Sequence, residues 1–151
     1  MPMYDLKFED TEFIRQWEGH ALKAYKCPAG VWTISYGITG PNVKPNMVIT
    51  EEESHEMFME KIHEFQGYLE KYLEKTPTIN QYLAMLSLIW NIGPGNFEKS
   101  EVRKYFNEGN LNKAMRAFMN HTKAKGKILK GLVNRRLAEV NVFMQAHTMT
   151  F

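Results

Sequence analysis

Residues 17–37 read WEGHALKAYKCPAGVWTISYG, from Trp17 and Glu18 through Cys27 and Thr33 to Gly37. Two runs, residues 24–26 and 31–36, are rich in aromatic and β-branched side chains and flank Pro28-Ala29-Gly30. That pattern predicts a β-hairpin. Upstream, Phe8, Phe13, Ile14 and Trp17 recur at helical spacing behind Asp10 or Thr11 as N-cap, and Gly19 ends the helix. Glu18 is thus placed at or near a helix C-terminus, where the negative end of the helix dipole and partial burial both disfavour an ionised carboxyl.

Downstream, Gly37, Gly40, Pro41 and Pro45 keep the chain irregular, with a third short strand possible. Thr50 with Glu51, Glu52 and Glu53 forms a capping box, and Met57, Ile62, Phe65, Leu69, Tyr72 and Leu73 carry a helical period to about residue 74. Such a helix spans about 35 Å and can link two lobes. Pro77 breaks it and Thr78 caps the next. Residues 82–92 are apolar almost all round, as a central buried helix should be, and Gly93-Pro94-Gly95 stops that run. Three further helices are expected, over about 100–107, 111–120 and 131–144, with Gly109 and a Lys-rich loop at 123–130 between them. The fold class is α+β: one domain over 1–151, with a small hairpin lobe (about 8–50), a linking helix (about 51–74) and a mainly helical lobe (about 78–146).

Composition narrows the class. The 151 residues are 44% hydrophobic and 24% charged, in keeping with a folded globular domain. A single cysteine allows no internal disulfide and no unaided zinc site, and the five histidines (20, 55, 63, 121 and 147) form no ligand cluster. His55 and His63 can share one solvated helix face. No metal and no cofactor are expected. The N-terminus has no signal-peptide pattern and no run approaches membrane-spanning length, so the product is expected in the cytosol. Charge is asymmetric: residues 1–98 carry 8 Lys/Arg against 14 Asp/Glu, and residues 99–151 carry 11 against 3. A basic C-terminal half suits an anionic partner, whether nucleic acid, a membrane surface or cell wall, or else merely solvates helix faces.

Read singly, the residues of the opening stretch are ambiguous. Cys27 alone reads as a small buried apolar residue. As a nucleophile it needs an imidazole, and His20 is the only local one. Thr33 alone is a strand residue, and Trp17, Trp32 and Trp90 read first as core. Glu18 suits a general acid for glycoside hydrolysis, which needs a proton retained near neutral pH and a second group on the other face of the sugar. Between residues 18 and 50 there is no other carboxylate, and Glu12 falls on a different helix face. The usual pair of carboxylates is therefore incomplete.

Together these residues resemble a family. Glu18, eight residues, Cys27, five residues and Thr33 are similar to the active-site signature of the phage-type lysozymes, the endolysins of glycoside hydrolase family 24, which is Glu, eight residues, Asp or Cys, five residues, Thr. Three further blocks follow in the family order: Asn80-Gln81 opening an apolar helix; Trp90-Asn91-Ile92-Gly93 with Gly95 and Phe97; and Gly126 with the run from Gly131 to Arg136 and Glu139. The resemblance implies a two-lobed lysozyme fold with a cleft between the lobes. It implies cleavage of the β-1,4 bond between N-acetylmuramic acid and N-acetylglucosamine in bacterial peptidoglycan, with inversion. It makes Glu18 the general acid, with Cys27 and Thr33 orienting the attacking water. Arg135 matches an arginine near the catalytic glutamate, and Trp90 and Asn91 match positions near the cleft. A monomer working with a holin-type permeabilising partner in the host bacterial cytoplasm is implied, with no nucleic-acid partner. The chain departs from the family at Ser35, a glycine position where a side chain would narrow the site; at Ile38, usually histidine; and at Asn120-His121-Thr122, where relatives carry tryptophan. The missing second carboxylate keeps open a non-catalytic wall-binding module, and the basic half a helical nucleic-acid binder.

Overall fold

The computed structural model describes residues 2–145, so His147 and the expected lobe end at 146 lie outside the described residues. The described chain divides into two compact units, Asp5–Glu64 and the residues on either side of it.

In the unit Asp5–Glu64, a 3-10 turn Phe8–Thr11 runs into a short helix α1 (Glu12–Arg15). Asp10 does not cap that helix; its carboxylate accepts from the Lys7 amide at 2.8 Å. The amides of Trp17 and Glu18 bond back to the Ile14 and Arg15 carbonyls at 3.2 and 3.0 Å, a tightened turn that closes the helix before Gly19. Strands β1 (Ala21–Lys26) and β2 (Trp32–Ser35) form the expected antiparallel hairpin, with Tyr25 opposite Thr33 and Lys26 opposite Trp32. Gly30, at φ 79, closes its turn. The third strand reduces to one bridge, Lys23 to Val48, flanked by amide bonds Ala24 to Met47 and Ile49 to Leu22.

Helix α2 (Glu51–Tyr72) starts at the predicted capping box: Thr50 N–H donates to Glu53 Oε1 at 2.9 Å and Glu53 N–H to Thr50 Oγ1 at 3.1 Å. Its residues up to Glu64 belong to this unit. Ile14, Ile34, Phe58 and Ile62 form a fully buried centre. Ser35 does not narrow the site as expected from its sequence position. It adopts φ 59, and its buried hydroxyl bonds to the Ser54 carbonyl (3.0 Å) and hydroxyl (2.6 Å) on α2. Two buried hydrogen bonds offset the cost of a left-handed serine.

The second unit is helical. Helix α3 (Ile79–Ile92) carries a full capping box between Thr78 and Gln81 and buries Tyr82 and every residue from Ala84 to Ile89. Gly93-Pro94-Gly95 ends α3 as expected, but Pro94 also opens a further helix, α4 (Pro94–Glu98), because its fixed φ suits the first helical position. Helices α5 (Glu101–Asn107) and α6 (Leu111–Ala117) pack together, capped by Ser100 and Asn110. The last turn of the helix expected over 111–120 is a 3-10 segment, Phe118–Asn120. The Lys-rich stretch is no loop: β3 (Lys123–Ala124) and β4 (Lys127–Ile128) pair across Lys125-Gly126, both at positive φ. Helix α7 (Lys130–Met144) packs along α3.

Candidate active site

The site starts where α1 stops. Glu18 is half-buried in the turn after the helix, and its carboxyl lies against Gly37 at the foot of the hairpin. A methyl group on Gly37 would sit 3.5 Å from Glu18 Oε2, and the residue's φ is 77. Glycine here serves the left-handed backbone; the added methyl itself would make only an ordinary contact with the acid.

Cys27 and Thr33 meet across the hairpin turn. Cys27 N–H donates to the Val31 carbonyl at 2.9 Å, and Gly30 N–H to the Cys27 carbonyl at 2.8 Å. The turn so made aims backbone N–H groups of Val31 and Ala29 at the Cys27 sulfur, which holds the thiol below its ordinary range; burial opposes this and the Thr33 hydroxyl adds to it. Thr33 is 4% exposed, and the single hydrogen of its hydroxyl is shared between two acceptors, the Cys27 sulfur and the Val31 carbonyl at 3.0 Å. Glu18, Cys27 and Thr33 thus all belong to the unit Asp5–Glu64.

His20 does not serve Cys27. Its Nε2 lies 3.2 Å from Ser54 Oγ and 3.6 Å from Glu51, and its ring stacks on Tyr36 with centroids 4.3 Å apart. His20, the local candidate imidazole for a thiol-protease arrangement, is therefore engaged elsewhere. Glu51 also lies 3.7 Å from His55, which stacks on Phe8. Sequence reasoning missed Ser54 and Glu51, because an exposed helix start gives no sign that a loop histidine will dock on it.

The other expected residues lie in the helical unit. Arg135 is buried, donating through Nε to Glu139 Oε2 (3.3 Å) and through Nη2 to the Ser87 carbonyl (3.0 Å) and hydroxyl (3.2 Å). Arg136, fully buried, lies with Nε 2.7 Å from Glu139 Oε1 in an ion pair off hydrogen-bond alignment, and donates through Nη2 to Oε2 at 3.1 Å. Ser87 Oγ donates to the same oxygen at 2.5 Å. Burial pushes the Glu139 carboxyl upward, and the two arginines oppose it. Every polar neighbour named here presents a donor, so only the acceptor-only carboxylate satisfies the group. The imidazole of His121, whose carbonyl accepts from Arg136, is held below its ordinary range by burial and then by that guanidinium. The spacing of Arg135, Arg136 and Glu139, at i, i+3 and i+4 reach, was the available sequence signal for this cluster.

Trp90 is half-buried with its ring 5.0 Å from Phe65, and Asn91 is exposed. Trp17 and Trp32 are also half-buried, so none of the three tryptophans is a fully enclosed core residue. Among the described residues, no group of three or more His, Cys, Asp or Glu side chains can hold a metal ion, and no helix is long and apolar enough to cross a membrane.

A family model described as phage lysozyme matches residues 15–139. The endolysin of Acyrthosiphon pisum secondary endosymbiont phage 1 is 40% identical over 137 residues, 88% of this chain and 93% of that protein. The endolysin of Bacillus phage PZA is 37% identical over 132 residues, which is 86% of this chain but 51% of the relative; the chain spans about half the length of that protein. A crystal structure of a P22 lysozyme variant superposes with a TM-score of 0.82 at 33% identity, covering 95% of this chain and all of that one. With this α+β lysozyme-like architecture and a family match running from α1 to α7, the chain belongs to the phage lysozyme family.

Proposed function

We propose that the chain is an endolysin-type muramidase that hydrolyses the β-1,4 bond between N-acetylmuramic acid and N-acetylglucosamine in bacterial peptidoglycan. The observation that carries this reading is the contact of Cys27 with Thr33 in a turn of the same unit as Glu18, at the family's spacing. The relatives named endolysin support it.

In this mechanism Glu18 delivers its proton to the glycosidic oxygen as the bond to the anomeric carbon breaks. Water attacks that carbon from the opposite face, oriented by Cys27 and the Thr33 hydroxyl, and the configuration inverts. The Cys27 sulfur accepts a hydrogen bond from that water where the family otherwise places aspartate, and the proton the water loses passes to bulk solvent. By the family resemblance, Arg135 is assigned to balancing the charge of the acid, and Trp90 and Asn91 to contact with the sugar chain. The enzyme acts as a monomer, made in the host bacterial cytoplasm and admitted to the wall by a holin-type partner.

Mass spectrometry of muropeptides released from purified walls tests the reading. Reducing N-acetylmuramic ends are expected. Anhydro ends would mean transglycosylation, and wall binding without release would mean a non-catalytic module.

Cys27 gives a second, graded test. Cys27→Ala should lower the rate, and Cys27→Asp should keep or raise it. If an ionised group at 27 assists the water, activity falls as pH drops through that group's pKa. The acid limb of Cys27→Asp should then lie below that of the parent, since a carboxyl ionises at lower pH than a thiol. A Cys27→Ala variant with the parent's rate and profile would make Cys27 packing and leave the water to Thr33.

A further inference from the structure

The hairpin β3–β4 is absorbed by no step of the mechanism, and among the described residues it forms a continuously exposed segment of the helical unit. Every residue from Lys123 to Gly131 is exposed. Four of them are cations, Lys123, Lys125, Lys127 and Lys130, and none makes an ion pair among the described residues. The sequence holds no carboxylate from Lys123 to Ala138; the next one, Glu139, is buried between two arginines. Solvating a helix face does not account for this pattern, because three of the four cations stand on the hairpin and only Lys130 begins a helix. Lys125 holds φ 51 there, a conformation that lysine adopts only at a cost.

The tip is also apolar. Ile128 is 65% exposed and Leu129 44%, side by side at the end of β4 and flanked by Lys127 and Lys130. Ile128 pairs with Lys123 across the hairpin, so an apolar side chain and an ammonium share one face of the ribbon. A soluble polyanion would be held by the lysines alone and gains nothing from two exposed aliphatic residues. A bilayer surface uses both: ammonium groups at anionic headgroups, aliphatic side chains at the acyl boundary, and lysine stems reaching between the two levels.

We propose that Lys123–Leu129 is a docking tongue for the surface of an anionic lipid bilayer. It enters no step of the proposed glycosidase chemistry. It would concentrate the protein at a phosphatidylglycerol-rich membrane through reversible contact, without a spanning segment.

The test is sedimentation of the full chain with vesicles of phosphatidylglycerol, of phosphatidylcholine, and with soluble polyphosphate as competitor. The protein should pellet with phosphatidylglycerol at least tenfold more than with phosphatidylcholine. Lys125→Glu with Lys127→Glu should remove that difference. Ile128→Ser, which keeps every charge, should lower partitioning severalfold while leaving wall hydrolysis and the melting profile at the parent values. Equal pelleting on both lipids, or none on phosphatidylglycerol, overturns the proposal. So does full binding by Ile128→Ser together with complete displacement by polyphosphate, which would assign the lysines to a soluble anionic polymer instead.

Discussion

Glu18→Gln is expected to reduce wall lysis by about 100-fold to 10,000-fold, the range that positioned proton transfer contributes. The amide keeps the size and shape of the carboxyl but has no proton to give to the departing oxygen. Without that proton the leaving group departs as an alkoxide, and neither Cys27 nor Thr33 can replace it from the other face of the sugar. The variant should fold, since Glu18 is half-buried in a turn whose backbone bonds, Glu18 N–H to the Arg15 carbonyl among them, survive the change. Circular dichroism and thermal unfolding check this directly. Binding to insoluble walls should also persist, because the loss falls on the chemical step. A variant that clears walls at the parent rate would take the role of acid away from Glu18. One that no longer binds walls would make Glu18 a contact for substrate rather than its proton donor.

Much of the frame was legible because the decisive signals are local. Thr50 with Glu53, and Thr78 with Gln81, announce helix starts through side chains three residues apart, and both boxes are formed. The hairpin from Ala21 to Ser35 follows from β-branched and aromatic runs around Pro28-Ala29-Gly30. Helix α4 was hidden because Pro94 and Gly95 look like breakers, although proline at a first helical position is favourable. Strands β3 and β4 are two residues each, too short for any alternation to register. At the site, the resemblance to the family signature, rather than any local pattern, suggested Cys27 and Thr33. Their contact depends on the Val31 carbonyl and on amides whose direction is set by the turn, which no side-chain pattern encodes. The inward rotation of Ser35 was equally hidden, since its partner Ser54 is nineteen residues away on another element.

The buried cluster under α7 carries the largest expected effect on stability. Glu139→Gln should destabilise the fold by about 3–5 kcal/mol, the cost of breaking a buried pair from one side. Glu139 and Arg136 are both fully buried, and the carboxylate accepts from Ser87, Arg135 and Arg136. An amide offers one acceptor oxygen and turns two N–H donors toward guanidinium groups that are donors only, so the fully buried Arg136 loses its counter-charge and Arg135 loses one of its partners. For a chain of this size each kcal/mol lowers the unfolding midpoint by about 2–4 °C, so a fall of about 10 °C is expected. Arg136→Met in the same background should recover part of the loss, because it removes the stranded cation and fills the space with an apolar chain. Chemical denaturation of the two single variants and the double gives the coupling directly. A Glu139→Gln variant within 1 kcal/mol of the parent, or a double variant no better than Glu139→Gln alone, would mean that the arginines are held by the Ser87 and His121 backbone carbonyls rather than by the carboxylate.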